Sequence, residues 1–321
     1  MPLSVNKNAL RLVDWAMGKR EDLGIEVVSG PLGCTIVDAG VKAVGGHVAG
    51  RWVAEVCLGG CGFASLTLMQ HADLVLPSIL VETDFPAIAT LGSQLAGWNV
   101  RTKDYFAMGS GPARALSKKP KKIYELIQYE DRYDSAVIVL EADSFPTEEA
   151  VKTIAYECEI STKNLYVIVA PTSSIVGSIQ VSGRTVETGI HKLLILGLDP
   201  RLVSYGCGCA PVPPVHPENA RAIGRTNDAL IYGGVASYSA CVDSDHQLEE
   251  IVSRCPSSSA HIYGKPFYEI FKEAGFDFYR IDPHLFAPAM VSISNTKTGT
   301  TLKAGKINIE LLKRAMGIAT A

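Results

Sequence analysis

Three side chains with complementary chemistry recur at helical spacing in the second half of the chain. Arg184, Glu187 and His191 are three and four residues apart, directly after Ser182. A helix through this segment would place a guanidinium, a carboxylate and an imidazole on one face, which are groups that proton transfer uses. The apolar face of that helix would carry Val186, Ile190, Leu193 and Gly197.

The same spacing is also typical of an exposed helix face with an i,i+3 ion pair, worth only about 0.2–0.5 kcal/mol. The segment that precedes this predicted helix favours a functional site instead. Ala170–Gly177 is rich in small residues and follows the buried-type strand Leu165–Val169. Ligands of α/β proteins lie at the carboxyl ends of such strands. Both interpretations of the segment stay open at this point.

A second candidate is the glycine-rich segment Gly109-Ser110-Gly111, which is followed by Pro112 and Arg114. A tight turn leading into a helix with an arginine in its first turn could bind an anion, and a plain turn is the alternative. It is not a dinucleotide fingerprint, because Arg114 stands at the place of the third glycine and no clear strand precedes the segment. The lysine cluster over residues 118–122 is typical of a solvated loop or of a contact for an acidic ligand.

Cysteine patterns give little support to a metal or thiol site. Cys207 and Cys209 lie near His216, but neither a Cys-x-x-Cys pair nor a His-Glu-x-x-His helix occurs. We therefore expect no metal, and we rank a thiol or zinc hydrolase built on Cys207 and Cys209 last among the alternatives. Gly-x-Ser-x-Gly elbows and phosphate loops ending in Gly-Lys-Ser/Thr are also missing from the sequence.

Composition indicates an ordinary globular protein. The chain has 321 residues, 47% of them apolar, and a formal net charge of −3. With no basic excess, neither a nucleic acid nor an anionic membrane is an expected partner. The first residues lack a cationic segment followed by an apolar one, and no later segment approaches 18 apolar residues. We expect a cytoplasmic location and reduced cysteines.

Strand and helix patterns alternate along the chain. Ala136–Leu140 and Leu165–Val169 are continuous apolar runs typical of strands buried on both faces, and a helix opening at Thr147 separates them. An amphipathic helix is expected before Gly24, and others begin at Ser244 and Pro266. Further strands are expected at Thr35–Val37, Val53–Leu58, Leu74–Leu76 and Ser78–Val81. The pattern predicts an α/β fold.

Several long stretches together resemble one family, the methenyltetrahydromethanopterin cyclohydrolases of methanogenic and related archaea and of methylotrophic bacteria. The resemblance runs from end to end, and strings of this length are far more specific than a short motif. The stretches that carry it are Thr83–Ala89, Leu91–Gln94, Tyr105–Leu116, Ala170–Glu187, Thr226–Asp228, Tyr263–Lys272, Ile281–Pro283 and Leu285–Ala289.

The resemblance implies two α/β domains with the pterin in the cleft between them. We place the domains at residues 1–172 and 173–321. It also implies a homo-oligomer, with a trimer favoured, and a small-molecule pterin as the partner. No metal or redox cofactor is expected, since tetrahydromethanopterin is the substrate carrier.

The activity implied is reversible hydrolysis of the N5,N10-methenyl bridge to the N5-formyl compound. Glu187 matches the family's catalytic glutamate and Arg184 its partner arginine, so we expect Glu187 to deprotonate the attacking water. His191 would be a reserve proton carrier. Contacts to the substrate are expected from Gly109, Ser110, Gly111, Arg114, Ser182 and His191.

Two alternatives share this scaffold. One is a cyclohydrolase acting on another reduced pterin such as a folate. The other is a pterin-binding protein without catalytic activity, against which the joint presence of Arg184 and Glu187 argues.

Overall fold

A computed structural model describes residues 3–71 and 74–317 and divides the chain into two compact units. The first unit comprises the described residues of Met1–Phe63 and Ile88–Gln180, and the second those of Ala64–Ala87 and Val181–Ala321. Each unit contains one six-stranded sheet with helices, which confirms the expectation of two α/β domains. The boundary at 172/173 stays a prediction about domains. The compact units differ from it by extending the first to Gln180 and by placing Ala64–Ala87 with the second.

The elements alternate as the sequence pattern predicts. The helices are α1 Val5–Met17, α2 Arg20–Leu23, α3 His47–Cys57, α4 Ala113–Ser117, α5 Lys121–Ile127, α6 Glu148–Glu157, α7 Ile175–Ser182, α8 Thr185–Ile195, α9 Asn219–Gly233, α10 Asp245–Arg254, α11 Phe267–Glu273 and α12 Ile309–Met316. The strands are β1 Glu26–Ser29, β2 Thr35–Asp38, β3 Phe63–His71, β4 Leu74–Thr83, β5 Trp98–Arg101, β6 Phe106–Ser110, β7 Ala136–Glu141, β8 Leu165–Val169, β9 Val203–Pro211, β10 Val235–Ala240, β11 Met290–Asn295 and β12 Thr301–Gly305. A π-helical segment spans Ala87–Gln94. None of the described helices is long and apolar enough to cross a membrane.

The first sheet has the order β1-β2-β8-β7-β6-β5, with β2, β8 and β7 parallel in its centre. Its central strands are buried on both faces, as their continuous apolar sequences predict. Alternate residues of β7 enter two different cores: Ile138 and Leu140 pack in one, and Val137 and Val139 in the other. The predicted strands Ala136–Leu140 and Leu165–Val169 are confirmed, and Thr147 caps α6 through its side chain.

The predicted strand Val53–Leu58 is wrong, because Val53–Cys57 is the second half of α3. Eight of the eleven residues of α3 are buried. A helix enclosed on nearly all sides loses the polar face that marks helical periodicity, so its apolar run reads like a buried strand. Trp52, at the centre of the helix, is fully buried and its indole N–H donates to the Leu12 carbonyl, 2.9 Å away.

Arg114 holds the segment after β6 in place. Its side chain is fully buried, and its guanidinium donates to the backbone carbonyls of Leu91 (3.2 Å), Ser93 (3.0 Å) and Lys119 (2.8 Å). An arginine used in this way stabilises the chain around it. The sequence-based prediction that Arg114 binds an anionic part of the substrate gains no support from this geometry and stays a prediction.

The second sheet has the order β12-β11-β10-β9-β4-β3, and glycines let α8 approach it closely. A Cβ atom on Gly206 would lie 2.8 Å from Val186, and one on Gly208 would lie 3.1 Å from Thr185. On the helix side, a Cβ on Gly189 would collide with the hydroxyl of Tyr238. That hydroxyl donates to the Val186 carbonyl at 3.0 Å, in the fully buried contact between α8 and β10.

We expect Gly189→Ala to lower the free energy of unfolding by about 1–3 kcal/mol, the usual cost of overpacking a core. This outcome opposes helix propensity, which favours alanine over glycine. Gly18→Ala is the matched control, because its Cβ would meet no atom closer than 3.5 Å. Chemical denaturation of both variants checks the prediction, and equal stability of the two would contradict it.

We expect Arg114→Met to lower the free energy of unfolding by about 1–3 kcal/mol or more, because three carbonyls lose a donor in a buried place. Arg132→Met is the control, since Arg132 is exposed and pairs with Glu130 on the surface. Thermal unfolding and substrate KM are measured together. A raised KM with unchanged unfolding would instead support the anion-binding role.

Candidate functional site

The structure brings Arg184 and Glu187 together at the start of α8. Arg184 is the residue that precedes the helix, and Glu187 lies in the first turn. The guanidinium Nη1 and the carboxylate Oε2 are 4.0 Å apart, and the side chains are only 10% and 6% exposed. The predicted alignment is confirmed. The alternative of an exposed helix face is wrong, because both charged groups are buried.

Backbone contacts at the junction of α7 and α8 position this pair. The Arg184 N–H donates to the Val181 carbonyl at 3.1 Å, and the Arg184 carbonyl accepts from the Thr188 N–H at 2.8 Å. The Thr185 hydroxyl donates to the Ser182 carbonyl at 3.2 Å. A carboxylate in the first turn is stabilised by the positive end of the helix dipole, so Glu187 is in a favourable place for a negative charge.

The apolar face of α8 agrees with the prediction in part. Val186, Ile190 and Leu193 are buried as expected. Gly197 lies beyond the end of the helix and has a φ of +96°, so it ends α8 and does not extend its apolar face.

His191 is one helical turn after Glu187 and is partly buried. Burial lowers the pKa of its imidazole below the ordinary value, so the ring is neutral at pH 7. A neutral imidazole can accept a proton, but the same burial disfavours the imidazolium that would form, so the reserve role stays a prediction. Ser182, the last residue of α7, is fully buried.

The other predicted contacts belong to the first unit. Gly109 and Ser110 end strand β6, which pairs antiparallel with both β5 and β7. The expectation that no strand precedes this segment is therefore wrong. Gly111 follows with a φ of +92°, a left-handed conformation that favours glycine. The Ser110 hydroxyl lies 3.8 Å from the Cys57 thiol.

Sequence reasoning singled out the stretch Ala170–Gly177, which contains Thr172, but missed two carboxylates at the carboxyl ends of the neighbouring parallel strands. The carboxylate of Asp38, the last residue of β2, accepts the backbone N–H groups of residues 40–43 at 2.7–3.0 Å. Glu141, at the end of β7, accepts a short hydrogen bond from the hydroxyl of Thr172, which follows β8. The available signal was a polar residue directly after a buried apolar run, at the edge where α/β proteins bind ligands.

Cys207 and Cys209 alternate along β9 with Gly206 and Gly208, the glycines that α8 contacts. Burial raises the pKa of the Cys209 thiol to about 11 and also raises that of Cys207. Both are therefore protonated at neutral pH, whereas a nucleophilic cysteine requires the thiolate. Within residues 3–71 and 74–317, no three His, Cys, Asp or Glu side chains form a group able to hold a metal ion.

Comparison with known proteins places this chain in a family. The family model described as Cyclohydrolase (MCH) matches residues 4–316. The methenyltetrahydromethanopterin cyclohydrolase of Methanocaldococcus jannaschii is 45% identical over 318 residues, which cover 98% of each chain. Its counterpart from Methanothermobacter thermautotrophicus is 46% identical over 321 residues, covering 98% of this chain and all of the relative. That of Methanococcoides burtonii is 43% identical over 316 residues, with 98% and 99% coverage.

Both comparisons span nearly the whole chain, including the buried arginine–glutamate pair at the start of α8. The chain therefore belongs to the methenyltetrahydromethanopterin cyclohydrolase family.

Proposed function

We propose that this protein hydrolyses the cyclic N5,N10-methenyl bridge of tetrahydromethanopterin, reversibly, to the N5-formyl compound. The observation that carries the proposal is the buried Arg184–Glu187 pair, found in a chain whose relatives are named for this activity. The methenyl carbon lies between two nitrogens and carries positive charge, so it is already electrophilic. The enzyme has chiefly to position one water molecule and remove its proton.

Glu187 is proposed as the general base. Its carboxylate takes a proton from water while the water oxygen bonds to the methenyl carbon, giving a neutral carbinol. A positioned base of this kind contributes about 10²- to 10⁴-fold in rate. Placement in the first turn of a helix that is packed against a sheet fixes the carboxylate and reduces the entropy lost in reaching the transition state.

Collapse of the carbinol completes the reaction. The proton held by Glu187 passes to N10, the C–N10 bond breaks, and the carbinol hydroxyl becomes the formyl oxygen as its proton leaves. One proton is released overall. His191, neutral because burial lowers its pKa, is proposed to accept that proton before solvent does.

Arg184 is proposed to hold Glu187 ionised and oriented between turnovers. At 4.0 Å the guanidinium is close enough to favour the carboxylate form without a tight bidentate pair. A base held in that way stays available to the water. No metal or redox cofactor enters the proposal, since the substrate itself supplies the electrophile.

The remaining features of the proposal come from the resemblance. Ser182, Gly109, Ser110 and Gly111 are proposed substrate contacts. A homotrimer is proposed on the same ground. A cytoplasmic location, expected from the sequence pattern, is proposed as well. Folate cyclohydrolase activity and binding without turnover are the competing functions, and direct assay separates them.

Glu187→Gln removes the base while keeping the side-chain shape. We expect kcat to fall by about 10²- to 10⁴-fold, because water activation is lost. The measurement is the decrease in methenyltetrahydromethanopterin absorbance, with methenyltetrahydrofolate assayed in parallel. Glu148→Gln is the matched control, since Glu148 is an exposed glutamate in the first turn of α6.

Each outcome of that assay has a distinct meaning. An inactive parent protein would reject the proposed function, and preference for the folate would favour the other cyclohydrolase. A parent that is active and a Glu187→Gln variant that is nearly as fast would leave the function standing and assign water activation elsewhere.

Arg184→Gln should lower kcat by about 10²-fold, because the carboxylate loses the group that orients it. Arg184→Lys keeps the charge and should recover part of that loss, although it lacks the planar guanidinium. Arg201→Gln serves as the control, because Arg201 forms an exposed ion pair with Asp199. Circular dichroism shows whether each variant is folded. Equal kcat for Arg184→Gln and the parent would contradict the role.

A further inference from the structure

A cavity rich in arginine lies in the second unit, beside α9, α11 and α12. Its volume is about 250 Å³. The ionisable side chains that line it are His216, Arg221, Arg225, Asp228, Glu269 and Arg314. Three guanidinium groups around one small cavity repel one another unless anions balance them.

Two of these arginines have carboxylate partners. Arg221 donates to Glu218 at 2.8 Å and its guanidinium lies 4.4 Å from the centre of the Tyr268 ring. Arg314 is 3.3 Å from Glu269. Each of these contacts uses one nitrogen of a group that carries five N–H donors, so both arginines keep donors available.

Arg225 differs from both. Its guanidinium donates to the Pro214 carbonyl at 3.0 Å, and none of the ion pairs among residues 3–71 and 74–317 includes it. Burial and the neighbouring Arg221 lower the pKa of Arg225, although an arginine stays charged at any physiological pH. Arg225 is thus a partly buried cation that faces a second cation.

Asp228 does not balance this charge. Its carboxyl is almost fully buried and accepts the Phe267 N–H at 2.8 Å. Burial raises the pKa of Asp228 well above its ordinary range, which favours the neutral acid. His216 adds a donor: its Nδ1 accepts the Glu218 N–H at 3.0 Å, so in the neutral ring the proton is on Nε2.

We propose that this cavity binds a phosphate-type oxyanion, with Arg225 as its principal ligand and Arg221, Arg314 and His216 as further donors. Guanidinium groups match the oxygen geometry of phosphate, and several of them suit an anion with more acceptor oxygens than a single carboxylate. The bound anion supplies the negative charge that the described residues leave unbalanced. This site uses none of the residues proposed for the hydrolysis of the methenyl bridge.

Arg225→Gln tests the site, with inorganic phosphate as the probe. We expect phosphate to raise the melting temperature of the parent protein more than chloride does at equal ionic strength, since a ligand that binds the folded state stabilises it. The variant should bind phosphate at least about tenfold more weakly by isothermal titration calorimetry, because a charge-assisted contact is lost. Arg225→Lys should recover part of the affinity through its retained charge.

Arg280→Gln is the matched control, an exposed arginine of the same unit that pairs with Asp277 outside the cavity. It should bind phosphate like the parent. A phosphate effect no larger than that of chloride, or equal phosphate affinity in Arg225→Gln and the parent, would overturn the proposal. These readouts need no enzymatic activity, so they stand apart from the test of the proposed function.

Kinetics then identify the source of the anion. If Arg225→Gln loses phosphate binding and raises the KM for the pterin substrate with kcat unchanged, an anionic group of that substrate occupies the cavity. If phosphate binding is lost and KM is unchanged, a separate phosphate-bearing ligand is the occupant. Both results support the site.

Discussion

The close packing of helix α8 on strands β9 and β10 is the constraint on which the candidate active site depends. Glycine is required on both sides of this contact, at Gly189 in the helix and at Gly206 and Gly208 in the strand. Because the helix is fixed against the sheet, its first turn is also held in one position relative to that sheet. The packing of backbone and small residues therefore fixes the segment that carries Arg184 and Glu187, whose charged groups are 4.0 Å apart.

Helix α8 is also unusual in the charges it carries. Nearly all of its residues are buried, yet they include Glu187 and Lys192. The Lys192 ammonium donates to the Ser259 hydroxyl at 3.0 Å and to the His284 carbonyl at 2.7 Å. Its buried charge is therefore hydrogen-bonded and has a structural role. Burying a carboxylate is costly, and the proposed catalytic role of the Arg184–Glu187 pair offers a reason for that cost.

In the first unit, buried polar side chains form hydrogen bonds with backbone N–H and C=O groups that the sheet leaves unpaired. The Asp38 carboxylate accepts hydrogen bonds from four backbone N–H groups in the loop after β2, and the Arg114 guanidinium donates to three backbone carbonyls. Asn6 does both, since its amide donates to the Pro112 carbonyl and accepts from the Val137 N–H. Buried polar side chains of this kind stabilise irregular segments, because buried backbone N–H and C=O groups need hydrogen-bond partners.

The sequence by itself determined most of the local elements and the family. Short-range effects decided these elements: Thr147 and Ser244 begin helices as predicted and cap them through their side chains, and the three-and-four spacing aligns Arg184, Glu187 and His191. End-to-end similarity identified the family because long strings are specific.

Only the tertiary structure decided what each element is packed against. It made residues 53–57 helical by burying them on nearly all sides, assigned Ala64–Ala87 to the second unit, and turned Arg114 inward to carbonyls distant in sequence. It also brought Arg221, Arg225 and Arg314 around one cavity. These outcomes depend on contacts between residues far apart in the chain, which local spacing does not encode.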